Sequence, residues 1–205
     1  MTLAIGRIEV VRVGALQPLL LAELVADLHR LLGVPVTVAA GAVELGIAYD
    51  PRRRQYLASV LLDSVLSPAP GEGTRRLGIT DVDLFLPVFT HLCGYALLGG
   101  AGGIISIFRL RPQFGGNPAN AAALRSRLLK ESLHELGHSL GLVHCPASWC
   151  VMHPSRGAEE LDLRDAAYCG ACASQGGLDG MAVEDLAAWV RPGNVSGQGG
   201  RNERS

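Results

Sequence analysis

Residues 134–172 read HELGHSLGLVHCPASWCVMHPSRGAEELDLRDAAYCGAC, and the spacing of histidines and cysteines here governs how the rest of the chain is read. His134, Glu135 and His138 form H-E-x-x-H, which Gly141 and His144 extend to H-E-x-x-H-x-x-G-x-x-H. On a helix, residues i and i+4 share a face one turn apart, so both imidazoles can reach one ion. Glu135 lies about 100° round from His134, close enough to flank an ion without ligating it. A continuing helix would carry His144 away at ~1.5 Å per residue. Gly141 tolerates the left-handed conformation that ends helices, and so can return His144 as a third ligand. Three protein ligands leave one position of a tetrahedral zinc open, the catalytic pattern. With six His, ten Glu and 26 Gly in 205 residues, chance assembly of the whole motif has a probability of about 10⁻⁴ or less.

The cysteines form the next layer. Cys145 and Cys150 are spaced C-x4-C, Cys169 and Cys172 are spaced C-x2-C, and these four of the five cysteines fall within 28 residues. Two short-spaced pairs suit a tetrahedral four-thiolate zinc, each loop contributing two sulfurs. The alternatives are two disulfides, which need an oxidising compartment, or inert buried thiols. Cys93 stands alone in an apolar context and reads as a packed thiol.

The stretch 134–172 resembles the signature of the archaemetzincins. It has the zinc-binding helix motif, a cysteine directly after the third histidine, C-x4-C, a methionine two residues on, then C-x2-C. Sixteen residues separate Met152 from Cys169, one fewer than the family pattern, which reads as a loop deletion. LGITDVDLF at 77–85 and IISIFRL at 104–110 are similar to strand segments of the same family. The resemblance implies a metzincin-like α/β (α+β) fold: a mixed, mostly parallel twisted sheet, two long helices and a small zinc-stapled C-terminal subdomain. It also implies a zinc metallopeptidase acting on peptides, with two Zn2+ per chain: one catalytic, one structural. Met152 would sit in a tight turn beneath the metal. Leu97, Leu98 and Gly99, in the hairpin YALLGGAGGIISIFRL, would form a sheet edge above the cleft that binds extended peptide by strand addition. Short peptides or their amino termini are the substrates the resemblance favours.

Composition sets the outer bounds. A chain of 205 residues that is 48% hydrophobic fits one domain with one core. The expected organisation is a catalytic domain over 1–190, with sheet and zinc helix in 1–144 and the cysteine site and methionine turn in 145–190, then a disordered tail at 191–205. A formal net charge of -1 argues against a nucleic-acid partner. Seventeen arginines face a single lysine, Lys130, and RRR at 52–54 reads as a solvated loop or helix start. Arg7, Glu9 and Arg12 interrupt the first apolar run, and Glu23 and Asp27 the second, so neither a signal peptide nor a membrane span is expected. That points to a cytoplasmic, reducing location and a monomer, and favours zinc over disulfides.

Element order follows from periodicity and punctuation. Residues 4–13 read as a strand, and 18–32 as an amphipathic helix between Pro18 and Gly33 with His29 on its surface. Residues 35–39 read as a second strand, and 54–66 as a second helix stopped before Pro68. A strand at 76–80 continuing through VDLFLP, and a pair at 94–98 and 103–110, complete the sheet. Asn117 and Pro118 read as the cap and first residue of the long helix, whose Leu129, Leu133, Leu136 and Leu140 fall on one face, away from the histidines. A last helix is expected at 181–190.

The chemistry expected of this ligand set is hydrolysis, with Glu135 as general base. Tyr168 and His153 are candidates for a second oxyanion donor by sequence proximity alone. The alternative is a zinc-binding interaction module with weak or no proteolysis. The intact Glu135 favours the enzyme, since a binding module gains nothing from a general base.

Overall fold

The computed structural model describes residues 5–178. Its central sheet is built from β1 (Arg7–Val13), β2 (Val36–Val43), β5 (Thr74–Thr80), β8 (Gly94–Ala96) and β9 (Gly102–Ser106), in the order β2-β1-β5-β9-β8. Three of the pairings are parallel, and β8 runs antiparallel to β9 at the edge. β9 is buried along its whole length, as expected of a strand covered on both faces.

Helices cover both faces. α1 (Pro18–Leu32) and α3 (Ala121–Ser139) pack with Ile8, Val10, Leu77, Ile79 and Ile105 in one core. α2 (Ala58–Val65) packs against Val11, Val13 and Ile104 in the other. The expected mixed, mostly parallel sheet with two long helices is therefore present. Cys150, Val151, Met152, Leu161 and Tyr168 join the α1/α3 core, so the C-terminal segment shares its apolar interior with the sheet.

Ionic contacts hold the long helix in place. Asp27 of α1, 2% exposed, takes both forks of Arg125 at 2.7 and 2.8 Å. Arg127 does the same with Asp162 and also donates to Leu110 O, while Lys130 Nζ donates to Leu161 O. In each pair one partner is buried and the other partly exposed, so each contributes less than a fully buried pair would, and together they fix the register of α3.

Several boundaries differ from expectation. The cap of α3 is Asn120, whose side chain accepts from Ala123 N at 3.0 Å. Asn117 and Pro118 lie in the preceding loop, because a tight turn at Pro112–Gly115 holds that segment first. Residues 55–57 belong to a strand, β4 (Gln55–Leu57), and α2 begins after it. The run VDLFLP does not prolong β5. It leaves for a second sheet of β3 (Tyr49–Asp50), β4, β6 (Leu84–Leu86) and β7 (Phe89–Leu92). Asp83 anchors that departure, binding Arg109 through both oxygens at 2.7 Å. Arg52, Arg53 and Arg54 form an exposed turn as expected, with Asp50 Oδ1 accepting two of its amides. The helix expected at 181–190 and the tail at 191–205 lie outside the described residues.

Candidate metal centre

His134 and His138 project from the last turns of α3, and each is fixed by a backbone carbonyl. His134 Nδ1 meets Val151 O at 2.8 Å, and His138 Nδ1 meets Leu142 O at 2.8 Å. A carbonyl only accepts, so both Nδ1 atoms carry a proton, and in the neutral ring each Nε2 presents a lone pair. Those Nε2 atoms lie 3.0 Å apart. Two lone pairs at that distance repel unless a cation lies between them. For a tetrahedral zinc with Zn–N of about 2.05 Å the separation is ~3.3 Å. Burial pushes His134 down to about 3 and also lowers His144, keeping both imidazoles neutral as metal ligands require.

His144 arrives by the route expected. Gly141 has φ +86°, Leu142 N bonds Gly137 O at 2.9 Å, and Gly141 N bonds His138 O at 2.9 Å, the paired bonds of a left-handed helix terminus. The ligand atoms of His134, His138 and His144 all fall within 4.8 Å of one another.

Glu135 is 3% exposed, and its Oε2 is buried with no hydrogen-bond partner. Burial first, then the neighbouring carboxylate of Glu131, push its carboxyl well above the usual range. Its side chain lies against the edge strand, where a Cβ at Gly94 would land on the carboxylate, and a Cβ at Gly103 would sit 3.0 Å from Glu135 Cβ. The glycines at these two positions make room for the acid. Met152 is fully buried beneath the helix, and a Cβ at Gly137 would collide with its sulfur.

The four cysteines gather on the other side of Val151. Their sulfurs lie within 4.8 Å of one another, and Cys145 Sγ to Cys169 Sγ is 3.7 Å. Tetrahedral zinc at Zn–S of about 2.3 Å gives ~3.8 Å, whereas a disulfide needs ~2.05 Å. All five cysteines of the chain are free thiols. The backbone N–H of Cys172 draws Cys169 down to about 7, while burial raises Cys150 and Cys172. The donor sets on both sides therefore suit zinc.

The histidine face opens on a cleft of about 660 Å3 walled by Leu86, Phe89, Tyr95, Leu98 and Val143. Leu98 lines the cleft, while Leu97 and Gly99 are not part of its wall. Strand β8 ends at Ala96, and the Gly99 amide is taken by His138 O at 2.9 Å, which removes Gly99 from the candidate binding edge. Tyr168 donates its hydroxyl to Leu133 O at 2.5 Å, His153 Nδ1 meets Cys145 O at 2.9 Å, and neither borders the cleft. Cys93, raised to about 12 by burial, packs against the core as expected and also borders the cleft.

Sequence reading missed Glu131, the second sheet and Arg164. Glu131 lies one turn before Glu135 on the same helical stripe, a spacing visible in the sequence. Nothing in the sequence marks Arg164, which is 2% exposed.

The pattern of peptidase family M54 matches residues 56–176. The archaemetzincin of Pyrococcus horikoshii is 42% identical over 127 residues, covering 61% of this chain and 67% of the relative. That of Natronomonas pharaonis is 33% identical over 171 residues, covering 82% and 98%. The crystal structure of an archaemetzincin from Archaeoglobus fulgidus complexed with malonate superposes with a TM-score of 0.71 at 29% identity, covering 82% of this chain and 99% of that one.

Proposed function

The chain belongs to peptidase family M54, the archaemetzincins, and from that premise we propose that it hydrolyses peptide bonds with Glu135 as general base and two zinc ions per chain. The observation that carries this reading is the pair of helix imidazoles whose Nε2 atoms face each other at 3.0 Å, next to a buried carboxylate oxygen that has no partner among the described residues.

His134, His138 and His144 would hold the catalytic zinc, which supplies Lewis acidity: it polarises a scissile carbonyl and acidifies water. Glu135 Oε2 takes the proton from the attacking water and delivers it to the departing amine. Its raised affinity for protons suits the second task as well as the first. Glu131, itself raised to about 7 by burial, is the neighbouring carboxyl that adds to the rise at Glu135. Cys145, Cys150, Cys169 and Cys172 would hold the structural zinc. That site fixes the turn in which Cys145 N bonds Met152 O at 2.9 Å, and the next carbonyl back, Val151 O, orients His134. Substrate would lie extended along β8, whose Gly94, Tyr95 and Ala96 border the cleft. Aminopeptidase action on short peptides is the specificity we favour within this reading.

Zinc titration of metal-stripped protein, followed by elemental analysis and cleavage of a peptide library, tests the reading. The expected result is two zinc per chain, five titratable thiols and scission near peptide amino termini. Zinc binding at both sites without scission of any peptide would overturn it.

A further inference from the structure

Arg164 is among the most deeply buried side chains of the molecule, yet it belongs to neither ligand set. An arginine keeps its charge at any ordinary pH, and a buried charge without compensation is strongly disfavoured. Among the described residues its one side-chain hydrogen bond runs from Nη1 to Val151 O at 3.3 Å, while Nε and Nη2 are buried without a partner. The Val151 carbonyl is the one that accepts from His134 Nδ1. Glu131, Glu160 and Cys150 are the acidic groups within electrostatic reach. Of these, Glu131 is 6% exposed and Glu160 is on the surface.

Two buried nitrogens without acceptors among the described residues indicate that the counter-charge of Arg164 needs a further anionic group. Four thiolates gathered on one divalent ion carry surplus negative charge, and Cys150 brings that charge to the guanidinium. We propose that Arg164 is a positioning residue serving both ligand sets: its cation offsets the surplus charge of the metal-loaded cysteines, and its Nη1 steadies the Val151 carbonyl that orients His134. This rests on the reading that the four cysteines hold a metal ion. Groups just outside a metal's ligands commonly change its retention by about 10–100-fold when replaced. A neutral residue at 164 therefore loosens the cysteine site, and a lysine, which keeps the charge but not the planar fork, loosens it much less.

The test uses the full chain loaded with Co2+, because thiolate ligation gives a sulfur-to-cobalt charge-transfer band that imidazole ligation does not. The rate at which a chelator erases that band is followed for wild type, Arg164→Met, Arg164→Lys, Glu131→Gln and the double variant Arg164→Met/Glu131→Gln. Expected is a loss about tenfold or more faster in Arg164→Met, a rate within about threefold of wild type in Arg164→Lys, no change in Glu131→Gln, and a double variant that behaves as Arg164→Met. Should Arg164→Met fail to fold, Arg164→Gln against Arg164→Lys asks the same question of the charge. Wild-type retention in the neutral variants overturns the proposal. So does a double variant restored to wild type, since Arg164 would then serve Glu131 alone. A wild type with no thiolate band removes the cysteine site itself, and the proposal with it.

Discussion

The histidine and cysteine constellations flank the same short turn, Val151–Met152, and are built on opposite principles. Each helix imidazole is locked by one backbone carbonyl, and the set faces a cleft. The cysteines are mostly buried and held sulfur to sulfur, and none of them borders the cleft. Three donors on an open face leave room for substrate; four donors in an enclosed one leave none. The difference teaches that ligand count and exposure, more than ligand identity, would separate the proposed reactive site from the proposed staple.

The largest effect should come from a change that touches reactivity alone. Glu135→Gln keeps the shape of the side chain and removes the proposed base, so peptide cleavage should fall by about 10²–10⁴ with zinc content and Tm unchanged. Retained cleavage would put the chemistry elsewhere and erase the contrast between the two sites.

Cys169→Ser addresses the other side. Loss of an ion that binds only the folded chain removes about 4 kcal/mol at a thousandfold excess of free zinc over its Kd. Tm should then drop by roughly 8–16 °C for a domain of this size, and activity should fall with it because Met152 and His134 lose their support. A variant with lowered activity and wild-type melting would mean the cysteines do not staple the fold.

Gly94→Ala sharpens the comparison from the cleft side, since the added methyl lands on the Glu135 carboxylate. A displacement of about 1 Å at a reacting group costs up to ~10² in rate. Expected is a fall in kcat of that order with the cobalt–thiolate band of the cysteine site intact. An unchanged kcat would show that Glu135 has room the structure does not indicate.

Much of this was legible in the sequence for an identifiable reason. The histidine and cysteine spacings encode ligand geometry directly, and Gly141 encodes the turn that returns His144, whose φ of +86° a side chain rarely adopts. Pro18 and Gly33 likewise bracket α1 at its observed ends. What escaped depends on contacts distant in sequence. VDLFLP has the pattern of a strand but not the name of its partner, and Leu84 pairs with Leu92 while Asp83 takes Arg109. Asn117-Pro118 carries a sound cap signal, overridden by the turn before it and by Asn120. Arg164 looks like any surface arginine until Leu161, Val151 and α3 close round it. Nothing in the hairpin sequence tells that Gly103 makes space for Glu135.

The smallest effect tests how substrate meets the open site. β8 is the edge of the five-stranded sheet and pairs on its inner side with β9, Tyr95 opposite Ile104. A peptide added along the outer side would exchange backbone hydrogen bonds with β8 at every second residue, because successive strand residues face opposite ways. Methylating one substrate backbone nitrogen deletes at most one such bond, worth ~0.5–1.5 kcal/mol, hence a rise in KM of about 2–10-fold. The bond is made in ground and transition states alike, so kcat should hold. A methylation scan along a good substrate should thus show KM rising at alternate positions and kcat flat. A scan flat in both, with sensitivity confined to side-chain changes, would move substrate binding from the strand edge to the apolar walls of Leu86, Phe89 and Leu98.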